Sequence, residues 1–330
     1  MIEYQTMKDF LLSYDTVTLR PKFSKLSSRS KADTSLMFCG RRFNLPVVPA
    51  NMADVISVRN AKWLSENGYF YIYHRFGDEN GPDSTIQLVK DANVERWKLI
   101  SISTGVDPKM EDLTYIKAMD LRVDFITIDV AHAHHENVKP IIEKIKNNFP
   151  ETKLIAGNVA TGEGAKYLVD LGVDAIKVGI GGGSICTTRF MTGFHLPTLH
   201  SVCEVVETLV QLGVEIPVIA DGGAKHYGDI SKALTFGASM VMSGRWFASC
   251  IDSPARIIDG KKFYRGSTSY ESKGMRKHIE GKTLELQEGF TYAERLLEIK
   301  DSLQSSISLG GGENLSAFDS VDWQRVVPEP

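Results

Sequence analysis

Short apolar runs alternate with amphipathic stretches along most of the chain. The runs are rich in β-branched and aromatic side chains, which favour strands. Eight of them stand out: residues 45–50, 69–73, 99–103, 125–129, 154–157, 175–180, 217–220 and 240–242. Because they are apolar throughout instead of alternating, they are typical of parallel strands buried on both faces.

Between most of these runs, apolar side chains recur every three or four positions, as on one face of a helix. This spacing predicts helices over residues 58–67, 85–92, 138–148, 163–171, 198–212 and 227–235. Eight strand–helix units predict an α/β fold, a closed (β/α)8 TIM barrel forming a single domain over residues 1–330. The alternative is a doubly wound sheet, but no GxGxxG motif opens a helix after the first strand.

The two ends of the chain lie outside the eight units. About forty residues precede the first strand as an N-terminal extension. The last eighty-five or so are polar and glycine-rich, with a predicted helix at 293–303. We expect this C-terminal segment to fold over the barrel mouth.

Composition narrows the range of partners. The chain has 330 residues, a net charge of −3 and 42% hydrophobic residues, so no basic surface for nucleic acid or anionic membrane is expected. The N-terminus lacks the plan of a signal peptide, and no apolar run reaches membrane-spanning length. Four cysteines without disulfide-like spacing suggest a reducing, cytoplasmic setting.

One cysteine lies in a loop suited to chemistry. Cys186 follows Gly181, Gly182 and Gly183 directly after the run 175–180, and two threonines and Arg189 come next. Glycines allow a tight turn whose main-chain dipoles converge, and a thiol beside them can act as a nucleophile. A free cysteine is more often a buried packing residue, but these neighbours favour the catalytic interpretation.

Small and polar residues also follow other strand ends. Asp221-Gly-Gly223 ends the seventh run and Ser243-Gly244 the eighth. In barrels, catalytic groups occupy the carboxyl ends of the strands, and loops seven and eight often bind phosphate. Ser184, Arg245 and the Ser267–Ser269 segment could add donors, while the Asp221 carboxylate suits a ribose diol.

Three histidines, His132, His134 and His135, could suggest zinc. No cysteine or paired carboxylate completes a tetrahedral ligand set in the sequence around them. Histidines that hydrogen-bond near the barrel mouth are therefore the favoured interpretation.

Taken in order, these motifs resemble the IMP dehydrogenase / GMP reductase family. The resemblance covers nearly the whole chain and is most specific in the string Ser184-Ile-Cys-Thr-Thr-Arg189. It also rests on residues 49–52, 129–132, 157–159, 192–193, 220–223 and 280–281. Family members are (β/α)8 barrels, generally tetrameric, that act on purine nucleoside monophosphates through the loop cysteine.

The resemblance implies a set of site residues. Catalysis would involve Cys186, Thr188 and Glu280. Substrate binding would fall to Ser184, Asp221, Gly222, Gly223, Gly244, Arg245, Ser267, Thr268, Ser269 and Gly281. NADPH would contact Ser28, Arg29, Asp129, Val130, Ala131, Ile180, Gly181, Lys277, Gly310 and Gly311, some of them across a subunit boundary. A potassium ion would be held at Gly181, Gly183, Cys186 and Arg189, mainly by main-chain carbonyls.

Within the family, absences favour the reductase branch. No regulatory CBS pair interrupts the barrel, and only ten residues separate Ser269 from Glu280, too few for the flap that activates water in dehydrogenases. The resemblance thus implies reductive deamination of GMP to IMP and ammonia. The alternatives are IMP oxidation with NAD, action on a related purine deoxynucleotide, a non-catalytic nucleotide sensor and a flavin-dependent barrel.

Two positions depart from the family pattern. Gly182 stands where family members usually have proline, which should loosen the turn. Arg245 stands where glycine or serine is more common, and should either strengthen phosphate binding or intrude on the pocket. The sequence His195-Leu-Pro197 is also uncommon in the family.

Overall fold

The computed structural model describes residues 11–76, 83–266, 281–287 and 289–327. Short strands lie at the ends and longer parallel strands in the middle. The strands are β1 (Val17–Leu19), β2 (Leu36–Phe38), β3 (Arg41–Phe43), β4 (Val47–Pro49), β5 (Ser101–Thr104), β6 (Phe125–Asp129), β7 (Lys153–Val159), β8 (Ala175–Val178), β9 (Val218–Asp221), β10 (Met240–Ser243), β11 (Arg256–Ile258), β12 (Lys261–Arg265), β13 (Thr283–Leu286) and β14 (Trp323–Arg325).

The helices fall mostly between the central strands. They are α1 (Val58–Glu66), α2 (Asp83–Val94), α3 (Glu111–Ala118), α4 (Val138–Asn148), α5 (Gly162–Asp170), α6 (Thr188–Thr192), α7 (Thr198–Leu212), α8 (Gly228–Thr235), α9 (Arg245–Ala248) and α10 (Tyr292–Leu309).

The central strands form one parallel sheet in the order β4-β10-β9-β8-β7-β6-β5. An eighth segment joins its edge at β5, where Tyr73 makes a parallel bridge with Ile102. Strand residues such as Ile126, Ile155 and Ile176 are fully buried, since helices cover the outer face and side chains fill the interior. The predicted TIM-barrel-like α/β fold is confirmed.

The predicted strand at 69–73 is the one central run that is not a regular strand. Its residues are mostly buried, and it is held to β5 by the Tyr73 N–H, which donates to Ser101 O at 2.9 Å. Side-chain hydroxyls donate further hydrogen bonds to main-chain carbonyls here. Ser103 Oγ donates to Tyr73 O at 2.7 Å, and Tyr71 Oη donates to Leu99 O at 2.9 Å.

The helix predictions are confirmed to within two residues at each end for α1, α2, α4, α5, α7 and α8. Helix α3 was not predicted. Only Leu113 and Ile116 of its eight residues are buried, so its apolar pattern is too short to stand out. Acidic residues in its first turn support it instead.

Both chain ends pack against the barrel. Strand β1 pairs with β14, and β2 with β3, in antiparallel fashion. The tail forms the antiparallel sheet β11-β12-β13 and then α10, which ends six residues beyond the predicted helix and packs along α8. Among the described helices, none combines the length and apolar character of a membrane span.

Candidate active site

A cavity of about 380 Å³ opens at the carboxyl ends of β7–β10. The loop after β8 forms one side and the loops after β9 and β10 form another. Tyr264 and Gly266, at the end of β12, complete it, so the tail contributes to the mouth as expected. The lining includes the predicted residues Gly181, Gly183, Ser184, Cys186, Arg189, Asp221, Gly222, Gly223, Gly244 and Arg245.

Cys186 is half-buried in this cavity beside Thr188. Its Sγ lies 3.2 Å from Thr188 Oγ1, within hydrogen-bonding reach for sulfur. The Cys186 N–H donates to Gly183 O at 3.1 Å, which closes the loop into a turn. A thiol and a hydroxyl are thus held side by side, the arrangement that a nucleophile and its proton carrier require.

A segment of the C-terminal tail lies beside the cysteine loop. Gly281 makes an antiparallel bridge with Cys186, and the Lys282 N–H donates to Ile185 O at 2.9 Å. The Gly266 N–H in turn donates to Lys282 O at 3.1 Å. Gly281, predicted to bind the substrate, therefore lies beside the cysteine, whereas Glu280, Lys277, Ser267, Thr268 and Ser269 lie outside the described residues.

Glycines form much of the cavity surface, and we call Gly181, Gly182, Gly183, Gly222, Gly223 and Gly244 the glycine wall. Gly222 and Gly223 have φ of +85° and +84°, which side chains strongly disfavour. A Cβ on Gly244 would lie 1.9 Å from Tyr264 Oη. Side chains are therefore disfavoured at these positions, and the main chain itself forms the cavity surface, as a phosphate site needs.

The structure explains the unusual Gly182. A Cβ there would lie 2.4 Å from Thr198 Oγ1, at the start of α7. Thr198 is buried and fills the space that a larger residue at 182 would need. The Thr198 side chain therefore packs against the glycine wall from behind, and the loosening of the turn stays a prediction.

A charged cluster of the buried Lys177 with the half-buried Asp129, Asn158 and Asp221 lies next to the glycine wall. Lys177 Nζ is 2.7 Å from Asp129 Oδ1 and 3.1 Å from Asp221 Oδ2. Asn158 Nδ2 donates to Asp221 Oδ2 at 2.8 Å. Sequence reasoning placed Asp129 and Asp221 but missed Lys177, although a lysine within the apolar run 175–180 was a visible signal.

A second cavity, of about 360 Å³, lies on the β5 side and is lined in part by Val130, directly after β6. The Asp129 carbonyl accepts from Arg75 Nε at 3.2 Å, and Arg75 lines this second cavity with Val130 and Gly105. Ala131 is exposed at the end of the same strand. Of the predicted cofactor residues 129–131, Val130 therefore lines the second cavity, and Asp129 contacts the cavity residue Arg75.

Four further residues that were predicted to contact the cofactor lie near one end of α10. Arg29 Nη1 donates to Ser305 Oγ of α10 at 3.2 Å, and Gly310 and Gly311 follow that helix. A Cβ on Gly311 would lie 2.8 Å from Phe23 O, so the N-terminal extension runs close beside this turn. Ser28, Arg29, Gly310 and Gly311 thus lie near the same helix end, but none of them lines either cavity.

Three cationic side chains line the first cavity. Arg189 and Arg245 were predicted, and both are exposed. Lys225 was not, and its Nζ lies 2.6 Å from Asp15 of the N-terminal extension. Their charge favours an anionic ligand next to the glycine wall.

The histidines after β6 make ring contacts. The rings of His132 and His134 are 6.1 Å apart, and His134 lies 5.3 Å from the Tyr167 ring. Burial, then the nearby His134 and His135, lower the pKa of His132. Over the residues that the structure describes, no group of three or more acidic, histidine or cysteine side chains could hold a metal ion.

Comparison with known proteins identifies the family of this chain. The family model described as IMP dehydrogenase / GMP reductase domain matches residues 11–304. A protein named GMP reductase from Staphylococcus carnosus is 42% identical over 323 residues, 95% of each chain. One from Oenococcus oeni is 43% identical over 320 residues, 95% of this chain and 96% of the relative. One from Bacillus subtilis is 40% identical over 323 residues, 95% of each. The chain belongs to the IMP dehydrogenase / GMP reductase family.

Proposed function

We propose that this protein is a GMP reductase, which converts GMP to IMP and ammonia with NADPH as the reductant. The observation that carries the proposal is the Cys186–Thr188 pair, 3.2 Å apart between the glycine wall and the paired segment at Gly281. Relatives named GMP reductase over nearly the full chain support the choice of reaction.

In the proposed reaction, Cys186 acts as the nucleophile. Its thiolate forms a bond to C2 of the guanine ring, and Thr188 with Glu280 carries the proton that lets the amino group leave as ammonia. The bound dinucleotide supplies the hydride to C2 when present. The C2–sulfur bond then breaks, which returns the electron pair to Cys186 Sγ and releases IMP.

The rest of the nucleotide is assigned to the cavity surface. The phosphate would bind main-chain N–H groups of the glycine wall together with Ser184 and Arg245. The ribose hydroxyls would donate to Asp221, whose carboxylate is oriented by Asn158. The segment from Ser267 to Ser269 and Gly281 would contact the base.

The residues of β6 fit a dinucleotide that approaches from the second cavity. Asp129 links residues of the two cavities, since its side chain contacts Lys177, which also contacts Asp221, and its carbonyl accepts from Arg75. The nicotinamide would lie against Asp129, Val130 and Ala131, near Ile180 and Gly181. Ser28, Arg29, Lys277, Gly310 and Gly311 would serve the remainder of the cofactor from a neighbouring subunit of a homotetramer.

The loop before Cys186 fits a potassium ion. Hard cations prefer oxygen ligands, and the loop offers the carbonyls of Gly181, Gly183 and Cys186 within one tight turn. Gly183 O already accepts from the Cys186 N–H at 3.1 Å, which closes the turn, and a carbonyl oxygen keeps a second lone pair for an ion. The main-chain carbonyl of Arg189 would complete the site.

The whole chain 1–330 would act as one catalytic domain without a CBS insertion.

The test mixes the protein with GMP and NADPH in potassium buffer and follows NADPH absorbance and ammonia together. We expect equal amounts of NADPH consumed and ammonia formed, with activity abolished in Cys186→Ala. The matched control is Cys203→Ala, because Cys203 is buried in α7 outside the cavity.

Two outcomes would contradict the proposal. No turnover of GMP, together with XMP formation from IMP and NAD, would assign the protein to the dehydrogenase branch. Turnover of dGMP but not GMP would keep the chemistry but change the substrate, and Arg245 and Asp221 would be the first residues to examine.

A further inference from the structure

Lys177 lies on β8 and contacts carboxylates on two other strands of the barrel. Its side chain is 1% exposed, and its Nζ reaches Asp129 on β6 and Asp221 on β9. Strand β7 lies between β8 and β6 in the sheet. The lysine therefore crosses over one whole strand to reach Asp129.

Gly157 is what makes this reach possible. In register, Asp129 pairs with Gly157, and Gly157 pairs with Lys177, so the three residues lie on one level of the barrel. A Cβ on Gly157 would lie 2.4 Å from Lys177 Cβ and 2.6 Å from Lys177 O. With glycine there, the lysine side chain can pass over β7.

The charges of this cluster depend on one another. Burial alone lowers the pKa of Lys177, but attraction to Asp129 and Asp221 outweighs it and raises the pKa. Burial alone raises the pKa of Asp129, but Lys177 outweighs it, so the Asp129 pKa is lowered. One buried cation thus keeps the carboxylate at the cofactor side charged while it also contacts the one at the ribose side.

We propose that Lys177 is a positioning residue that ties the ribose-binding carboxylate to the cofactor-side carboxylate, and so aligns nucleotide and dinucleotide with each other. The assignment of the two carboxylates to ribose and cofactor rests on the proposed function. Lys177 itself touches neither ligand. It holds Asp129 and Asp221, and a third contact, Nζ to Asn51 Oδ1 at 3.3 Å, fixes it from β4's side.

Other charged groups face the same carboxylates. Arg75 attracts Asp129, while Tyr14 and Tyr264 lie within electrostatic range of Asp221. Cys186 in turn interacts with Tyr264. Of these groups, Lys177 is the one that pairs with both carboxylates, so its removal should leave two half-buried like charges without their shared cation and raise the pKa of Asp129.

The test compares Lys177→Met and Lys177→Arg with the wild-type protein. We expect Lys177→Met to raise KM for both GMP and NADPH by about tenfold or more, and to move the acid limb of kcat/KM up by about one pH unit or more. Lys177→Arg should restore the wild-type acid limb, because it restores the charge, while both KM values stay raised together.

The matched control is Lys262→Met. Lys262 is also 1% exposed, but its Nζ donates to Cys250 O on another part of the fold. Its loss should reduce stability without moving the acid limb. If Lys177→Met lowers stability in the same way and keeps the wild-type KM values and acid limb, Lys177 is merely structural and the inference is wrong.

Two further arms keep the test decisive. If Lys177→Met does not fold, Lys177→Arg carries the test, and unchanged KM values for both ligands would overturn the inference. If the wild-type protein does not turn over GMP, the proposed function fails on its own. GMP titration calorimetry across pH then still asks whether Lys177→Met shifts the acid limb of binding, with an unshifted limb overturning the inference.

Discussion

The glycine wall and the charged cluster adjoin the same cavity but are built in opposite ways. The glycine wall depends on atoms that are absent, since a Cβ at Gly182 or Gly244 would overlap a neighbouring side chain. The charged cluster depends on atoms that are present, since Lys177 is needed to hold two carboxylates. The first leaves main-chain groups open, and the second fixes side chains.

This difference separates two kinds of failure. An added carbon in the glycine wall should push on its surroundings and reduce binding through overpacking. A removed charge in the charged cluster should leave unpaired carboxylates and change the pH dependence. Damage to one region should thus be distinguishable from damage to the other in kinetic measurements.

The largest effect on the glycine wall is expected from Gly244→Ala. Its Cβ would lie 1.9 Å from Tyr264 Oη and 2.8 Å from Cζ, and Tyr264 is buried, so the ring must move. Overpacking of this kind costs about 1–3 kcal/mol, which corresponds to a rise of about 5- to 150-fold in KM for GMP. Steady-state kinetics at fixed NADPH would measure it, with no shift of the acid limb.

Two variants control this prediction. Gly228→Ala adds the same carbon at the start of α8, where no atom lies within 4 Å, and should leave KM unchanged. Gly244→Ala combined with Tyr264→Phe removes the closest overlapping atom and should recover part of the lost affinity. An equal loss in the Gly244→Ala single and double variants would show that Tyr264 is not the obstacle.

The sequence predicted the glycine wall well because glycine leaves a local signal. Gly222-Gly223 and Gly244 follow apolar runs at strand ends, and that position alone puts them at the barrel mouth. Placing these glycines at the barrel mouth did not require knowing which distant residues they contact in the fold. What could not be read locally is why residue 182 is glycine, since Thr198 is sixteen positions away and contacts it only in the fold.

The charged cluster was predicted only in part. Asp129 and Asp221 end their strands, so their place at the barrel mouth could be predicted. Lys177 lies inside an apolar run, where a single lysine does not by itself indicate a role. Its role depends on the register of three strands, β6, β7 and β8, which sequence periodicity does not set. The irregular segment at 69–73 was missed for a similar reason, because side-chain hydroxyls of Tyr71 and Ser103 replace its ladder.

A smaller effect tests the contact behind the glycine wall. Gly182→Ala should lower stability because its Cβ would lie 2.4 Å from Thr198 Oγ1. Thr198→Ala removes that oxygen, so the double variant should be more stable than the sum of the single changes predicts, by about 1–2 kcal/mol. Urea denaturation of the four proteins measures this coupling. Simple additivity would mean that Thr198 does not restrict position 182.

The smallest perturbation leaves both regions intact and labels the thiol between them. Burial, followed by neighbouring acidic groups, raises the pKa of Cys39 and Cys203 to about 12. Burial also raises the pKa of Cys250, to about 11, so these three remain protonated near neutral pH. Iodoacetamide at about pH 8 should therefore modify Cys186 first, because it alone of the four cysteines lines the cavity.

GMP should protect Cys186 from this labelling, and peptide mass spectrometry would locate the modified residue. Gly244→Ala should weaken the protection in proportion to its KM, whereas Lys177→Met should make the protection fade as pH falls, since its carboxylates become protonated at higher pH than in the wild type. If both variants lose protection equally at every pH, the two regions act as one unit and the distinction between added carbon and missing charge does not hold for this cavity.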